Sequence, residues 1–264
     1  MEIIGYFGAI LMGVSLGLIG GGGSILTVPI LVYFFNVNAE LSTAYSLFIV
    51  GLTSLFGSFT HMRMGNIHWR TAIVFGIPAI ISVYFTRHFI VPAISDPIAN
   101  FGSFQLGKDM GILILFAAIM VLASYSMIKK GKPKASSIEE EIKYNYPLIL
   151  AEGLIVGLVT GLVGAGGGFL IIPALVVLAK LPMKQAVGTS LIIIASKSLL
   201  GFLGDLGRGQ AIDWSFLLVF SAIAVGGIFL GAFLSKKISG EKLKPAFGWF
   251  VFIMGIYIIV KTLI

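Results

Sequence analysis

Apolar runs long enough to cross a lipid bilayer recur from one end of the chain to the other, among them Ile112 to Met127, Phe216 to Leu234 and Phe247 to Leu263. A hydrocarbon core about 30 Å thick is spanned by about 20 apolar helical residues. Of the 264 residues, 58% are hydrophobic and 11% charged, and the mean hydropathy is +1.04. No soluble core hides that much apolar surface. The membrane is therefore the solvent, and the expected fold class is an all-α integral membrane protein.

The formal net charge is +7, which in a soluble protein would raise the question of nucleic acid. Here most Lys and Arg lie in short segments between apolar runs, the pattern that sets membrane orientation, so no nucleic-acid partner is expected. The absence of cysteine excludes disulfides, thiolate metal sites and thiol redox chemistry. The first apolar stretch follows Met1-Glu2 without a basic n-region, and a near copy of it recurs in mid-chain. It reads as structure, not as a signal peptide.

That copy is the strongest internal signal. Gly17-Leu-Ile-Gly-Gly-Gly-Gly-Ser-Ile-Leu-Thr-Val-Pro29-Ile-Leu-Val32 aligns with Gly161-Leu-Val-Gly-Ala-Gly-Gly-Gly-Phe-Leu-Ile-Ile-Pro173-Ala-Leu-Val176 at an offset of 144, with nine of sixteen positions identical. At the same offset Ser46 meets Ser190, Ser54 meets Ser198, Gly57 meets Gly201 and Gly65 meets Gly209, so the repeat runs well beyond one motif. The chain divides into a first transmembrane repeat (1–130), a basic cytoplasmic linker (131–146) and a second transmembrane repeat (147–264). The join, from Lys129 to Lys143, is the only long polar stretch.

Each repeat offers a long Gly-interrupted segment (Ile3 to Phe35; Pro147 to Ala179) and then three helices. The expected helices lie near 41–60, 69–86 and 107–128, and near 185–204, 214–235 and 244–263. Residues Phe89 to Phe104, with Pro92 and Pro97, read as an extracytoplasmic excursion of unassigned structure.

The Gly-rich segments either cross the membrane or turn back. If they cross, one face collects nine of the loop cations and the other eight, and no orientation emerges. If each is a hairpin of two part-helices, one face holds thirteen, in the linker and at Arg63, Arg70, Lys180, Lys184, Lys236, Lys237, Lys242 and Lys244. The other then holds four: Arg87, Lys108, Arg208 and Lys261. The positive-inside rule favours the second case. It gives two inverted repeats, each a re-entrant or discontinuous Gly-broken helix pair plus three transmembrane helices, with six full crossings and both termini outside.

A backbone break at membrane depth must be buried in protein or line a polar cavity. The part-helices following the breaks, expected to start near Ser24 and Phe169, present free N–H groups and the positive end of the helix dipole. Two such ends facing each other form an anion site, to which Gly21, Gly22, Gly23, Ser24, Gly166, Gly167 and Gly168 are assigned. The bland alternative is that the glycines only permit tight helix packing. The next helix of each repeat carries a polar and small stripe: Ser46, Thr53, Gly57 and His61 in one, Ser190, Lys197, Gly201 and Asp205 in the other. Ser46, Thr53, Thr189, Ser190 and Lys197 complete the expected substrate contacts. Lys197 sits near mid-span with no acid one turn away, so its charge is costly unless a partner neutralises it, and a transported anion is such a partner. The alternative is that it snorkels or pairs with Glu152 or Asp205. His61, Glu152 and Asp205 are candidates for gating or proton coupling, beside plainer roles as solvated or anchoring groups.

No G-x-x-x-x-G-K-[ST], H-E-x-x-H or G-x-S-x-G is present, and His61, His68 and His88 lack a metal-ligand grouping, so neither an ATP-binding loop, a hydrolase nor a metal is expected. The twin blocks Gly17 to Pro29 and Gly161 to Pro173, each followed by Ser-Leu near the start of the next helix (Ser46-Leu47; Ser190-Leu191), resemble the sulfite exporter TauE/SafE family, also called the 4-toluene sulfonate uptake permeases. The resemblance covers essentially the whole chain. It implies a secondary carrier for sulfite, sulfoacetate or other organosulfonates in a prokaryotic inner membrane, with no cofactor and with a proton or cation as possible coupling partner. Ala44-Tyr-Ser-Leu47 departs from Gly188-Thr-Ser-Leu191, which breaks the symmetry of the site. A passive anion channel, and then a membrane enzyme or scaffold, are the alternatives.

Overall fold

The computed structural model describes residues 2–101, 104–128, 146–177, 179–206, 212–235 and 240–263. Its helices are α1 (Glu2–Ile19), α2 (Thr27–Phe35), α3 (Ala39–Arg63), α4 (Trp69–Phe85), α5 (Val91–Ala93), α6 (Lys108–Ile128), α7 (Tyr146–Val163), α8 (Gly168–Val177), α9 (Met183–Leu203), α10 (Trp214–Leu234) and α11 (Gly240–Leu263). A short antiparallel ribbon, β1 (Ala99–Phe101) and β2 (Phe104–Leu106), fills the stretch left unassigned above. The all-helical membrane expectation holds. Six described helices are long and apolar enough to span a bilayer, though not quite the six expected. Helix α1 qualifies by itself at 18 residues, whereas α11 contributes only the shorter apolar run Gly248–Leu263.

Local chemistry sets several boundaries. Asn38 caps α3 by accepting from the Leu41 N–H at 2.8 Å, and Asp213 caps α10 through the Phe216 N–H at 2.9 Å, satisfying donors that a helix start leaves open. Helix α2 ends on a left-handed Asn36 (φ 54°), and the left-handed Lys180 (φ 50°) lies 144 residues on, just past α8. The closing bonds match as well: Val37 N–H to Leu31 O at 3.2 Å and Leu181 N–H to Leu175 O at 3.0 Å.

Helix α2 runs back along α1. A side chain added at Gly5 would meet the Phe35 ring, one at Gly8 would meet Ile30, and one at Gly23 would strike the backbone of Met12 and Leu16. The rings of Tyr6 and Phe35 meet edge-on at 5.2 Å between centroids. Phe35 therefore lies at the level where α1 begins.

Helices α3 and α9 cross antiparallel at the centre, with Leu47 beside Gly201, Gly51 beside Leu199 and Leu191 beside Gly57. Their apolar windows are 72% buried, against 33% to 44% for the other candidate spans, which makes them the core pair. Outside them α1 packs parallel to α10 and α4 parallel to α7. Glycines let these backbones touch: Gly13 lies on Ala224 and Gly227, Gly17 on Ile228 and Gly231, Gly157 on Ala79 and Ser82, and Gly161 on Thr86. Close approach gains dispersion contact where lipid offers no hydrophobic drive between helices. Helices α6 and α11 pack against each other. Large apolar side chains such as Phe7, Leu11, Ile73, Ile77, Leu122 and Phe233 face outward, while Ser and Thr are buried inside, the distribution that a lipid solvent selects.

One end of the bundle, the ribbon face, gathers Asn36, Glu40 and Lys108, whose Nζ donates to Glu40 Oε1 at 3.0 Å. The Tyr45 hydroxyl ties the start of α10 to the same end, 2.8 Å from the Asp213 N–H. At the other end the His68 N–H donates to Thr189 Oγ1 at 2.9 Å, joining the α3–α4 turn to α9. Helix α6 ends toward that second end, called the linker end because residues 131–146 follow it in sequence.

Candidate anion site

The two glycine breaks meet backbone to backbone at the centre of the molecule. Helix α1 stops at Ile19, Gly20 turns at φ 78°, and a 3-10 turn over Gly22–Ile25 leads into α2. Helix α7 stops at Val163, Gly164, Gly166 and Gly167 all take positive φ (71°, 62° and 68°), and α8 starts directly at Gly168. Left-handed backbone repeated within four residues is where glycine costs least. A Cβ on Gly21 would collide with the Gly168 backbone, and one on Gly168 with Gly21. Each break also abuts the core helix of the opposite repeat, Gly20 on Val187 and Gly164 on Thr43, again 144 residues apart.

Lys197 reaches this junction. It is completely buried, its Nζ donates to Thr160 Oγ1 at 2.7 Å, and a methyl group on Gly167 would sit 3.1 Å from that nitrogen. The ammonium thus lies on the second break, just before the N-terminus of α8. Neither alternative assigned to Lys197 is what the fold contains: it does not snorkel, and its partner is a hydroxyl, not Glu152 or Asp205. A buried ammonium facing one neutral acceptor is poorly compensated, and an anion placed on it gains both charge pairing and the dipole of α8.

The other expected contacts divide. Ser190 donates to Val187 O at 2.8 Å and to Gly20 O at 3.2 Å, bracing the first break. Ser46, its mate in the repeat, is buried with its hydroxyl unpartnered. Ser24 donates to Gly21 O at 2.8 Å and Thr53 to Ile49 O at 2.7 Å, so both hydroxyls turn to their own backbone. Gly22 lies in the 3-10 turn. Gly23 is taken up by packing on α1, and Gly166 packs on Val50 and Ser24. Thr189 accepts from the His68 N–H, next in the chain to the Ser190 that braces the first break. The part-helix starts shift from the expected Ser24 and Phe169 to Thr27 and Gly168, because the first break spends four residues in its 3-10 turn.

Of the gating candidates, His61 is buried, its ring nitrogens unpartnered, beside Gly188 and Asn66. Asp205 is nearly buried, its Oδ2 3.6 Å from Arg87 Nε. Both differ from the solvated helix-end roles weighed for them. Glu152 sits half-buried on α7, eight residues and about 12 Å of helix rise before Thr160, and does not join the cluster. Two residues here carry little signal in the sequence. Arg87 reads as a loop cation, yet is completely buried. Thr160 hid in an apolar helix, although it stands where the first repeat has Leu16, just as Lys197 stands where it has Thr53. Among the described residues no cluster of His, Asp or Glu could hold a metal ion.

Known proteins place this arrangement. The model of the sulfite exporter TauE/SafE family matches residues 6–258. The chain is a member of that family. It is 29% identical over 264 residues to a probable membrane transporter protein of Xylella fastidiosa, covering 96% of this chain and 92% of that protein. A probable membrane transporter protein of Methanocaldococcus jannaschii is 29% identical over 262 residues, covering 94% of this chain and 92% of its own. The Bacillus subtilis probable membrane transporter YunE is 25% identical over 244 residues, covering 86% and 85%. No solved structure matches the chain. This TauE/SafE member is accordingly a multi-pass membrane transporter.

Proposed function

We propose that this TauE/SafE protein is a secondary carrier of small sulfur oxoanions, such as sulfite, sulfoacetate or another organosulfonate, in a prokaryotic cytoplasmic membrane. The observation that carries the reading is the completely buried Lys197 ammonium, set against the second glycine break with a hydroxyl as its partner. The family's name supplies the sulfur chemistry, and the ammonium and α8 N-terminus supply the charge complement.

In this reading the halves are inverted repeats, and each glycine-broken segment is a re-entrant hairpin. Supporting it, α2 returns along α1, the core mates α3 and α9 run antiparallel, and cations concentrate on the linker face. Ser24, Ser46, Thr53, Ser190 and Lys197 are all completely buried. That favours a carrier, which must open to one side at a time, over a channel with a standing pore. His61 at the linker end and Asp205 at the ribbon end flank the site and are the proposed gates.

Proteoliposomes carrying purified protein test this directly. Labelled sulfite and methanesulfonate should enter saturably and exchange with internal unlabelled anion, and Lys197→Met should abolish both while leaving a folded protein. Non-saturating flux without exchange would establish a channel. Full transport by Lys197→Met would remove the site from Lys197.

A further inference from the structure

We propose that Arg87 is a second anion-recognition residue, buried on the ribbon-face side of Lys197 and held by Asp205 until an anion arrives. This rests on the transport reading above and names a new contact for it.

Arg87 does not lie in a loop. Helix α4 continues through a π-helical turn, Thr86–Ile90, which carries the guanidinium into the protein at zero exposure. Its Nε is 3.6 Å from Asp205 Oδ2, so the pair bridges the first repeat to the end of α9 in the second. Asp205 follows Lys197 by eight residues, about 12 Å along the helix direction, on the same stripe. The neighbouring Thr86 touches Gly161 in the last turn of α7, just ahead of the second break. Arg87 therefore stands between the ribbon face and the Lys197 junction.

The repeat shows that this pair is an addition to the common scaffold. Positions 144 residues from Arg87 and Asp205 are Gly231 and His61, so these two mates cannot form an ion pair. A guanidinium can take oxygens of a carboxylate or of a sulfur oxoanion, so an anion can stand where the Asp205 carboxylate now lies 3.6 Å from Nε. Removing one member of a buried ion pair is costly because the other is left uncompensated. An entering anion avoids that cost for Arg87 by taking the carboxylate's place. Asp205 is the member able to leave, since its side chain keeps 7% exposure where that of Arg87 has none.

The test is uptake of labelled sulfite and methanesulfonate by proteoliposomes, with orientation fixed by blocking one population through a cysteine at Ser95. Asp205→Asn removes the competitor and should lower the KM from the ribbon face about threefold or more, without raising kcat. Arg87→Gln/Asp205→Asn removes both charges and leaves neither buried alone. It should raise the ribbon-face KM about tenfold or more and leave the linker-face KM near wild type. Arg87→Lys should fall between. A purely structural ion pair predicts wild-type KM from both faces for the double variant, and that result overturns the proposal. If the double variant fails to elute as a folded peak, Asp205→Asn decides alone, and an unchanged ribbon-face KM overturns it. A wild-type protein that takes up neither anion removes the sulfur-anion reading and this proposal with it; uptake with KM insensitive to these variants removes this proposal only.

Discussion

Lys197 is oriented by one hydroxyl, and that contact makes the site testable without removing its charge. Thr160→Val keeps the volume of the residue whose Oγ1 accepts from Nζ at 2.7 Å but leaves the ammonium without its acceptor. Losing a buried partner for a charged group costs about 1–3 kcal/mol, so sulfite affinity measured by calorimetric titration should change by about tenfold, while Thr160→Ser stays near wild type. Equal affinity in Thr160→Val would mean that the hydroxyl does not set the position of Lys197. The glycines divide just as sharply. Gly21→Ala drives a methyl into the Gly168 backbone, and because neither chain there can swing aside, the melting temperature in detergent should fall by about 5 °C or more. Gly226→Ala, where an added Cβ meets nothing within 4 Å, is the control and should melt like wild type. Gly166, with φ 62° and Val50 and Ser24 against it, combines strain with crowding. A bulky substitution there reports on folding before it reports on binding.

Among the elements, the long helices were legible in the sequence and the irregular ones were not. Each expected full-span helix lies within four residues of an observed one, because a continuous apolar run in lipid has no alternative to intrachain hydrogen bonds. The glycine clusters likewise announced both breaks. The ribbon between α5 and α6 was illegible since its two short strands satisfy only each other. Arg87 was misplaced for a related reason: a cation just past an apolar run looks like a loop residue unless the helix is known to continue. The hairpin formed by α1 and α2 is the element whose placement in the membrane decides the topology. If it is re-entrant, cysteines introduced at Glu2 and Ser95 should label from the same side with an impermeant maleimide, and one at Met64 from the opposite side. If α1 and α2 together crossed once, Glu2 and Ser95 would label from opposite sides. The chain has no cysteine of its own, so the background is clean.

At the scale of the whole molecule, the most extensive helix contacts have mates under exchange of the two halves. Helix α1 against α10 corresponds to α7 against α4, α3 against α10 to α9 against α4, and the pairs α3–α9 and α6–α11 map onto themselves. Departures from the repeat are the positions at which the two breaks can differ in chemistry. Two departures lie together in the second repeat: Thr160 and Lys197 replace Leu16 and Thr53. The backbone around them differs, a 3-10 turn in the first break and left-handed glycines in the second, but Gly23 closes on the Leu16 backbone where Gly167 closes on the Thr160 side chain, so an ammonium at position 53 tests whether the first break can also serve. Moving the whole pair, through Leu16→Thr, Thr53→Lys, Thr160→Leu and Lys197→Thr, should recover sulfite binding to within about tenfold of wild type, whereas Thr160→Leu with Lys197→Thr alone should lose it. Calorimetric titration of the two purified variants compares them directly. Recovery would show that the first break can hold the anion as the second does. Failure of the transplanted pair, in a variant that still folds, would assign the site to features peculiar to the second break: its three left-handed glycines and the immediate start of α8.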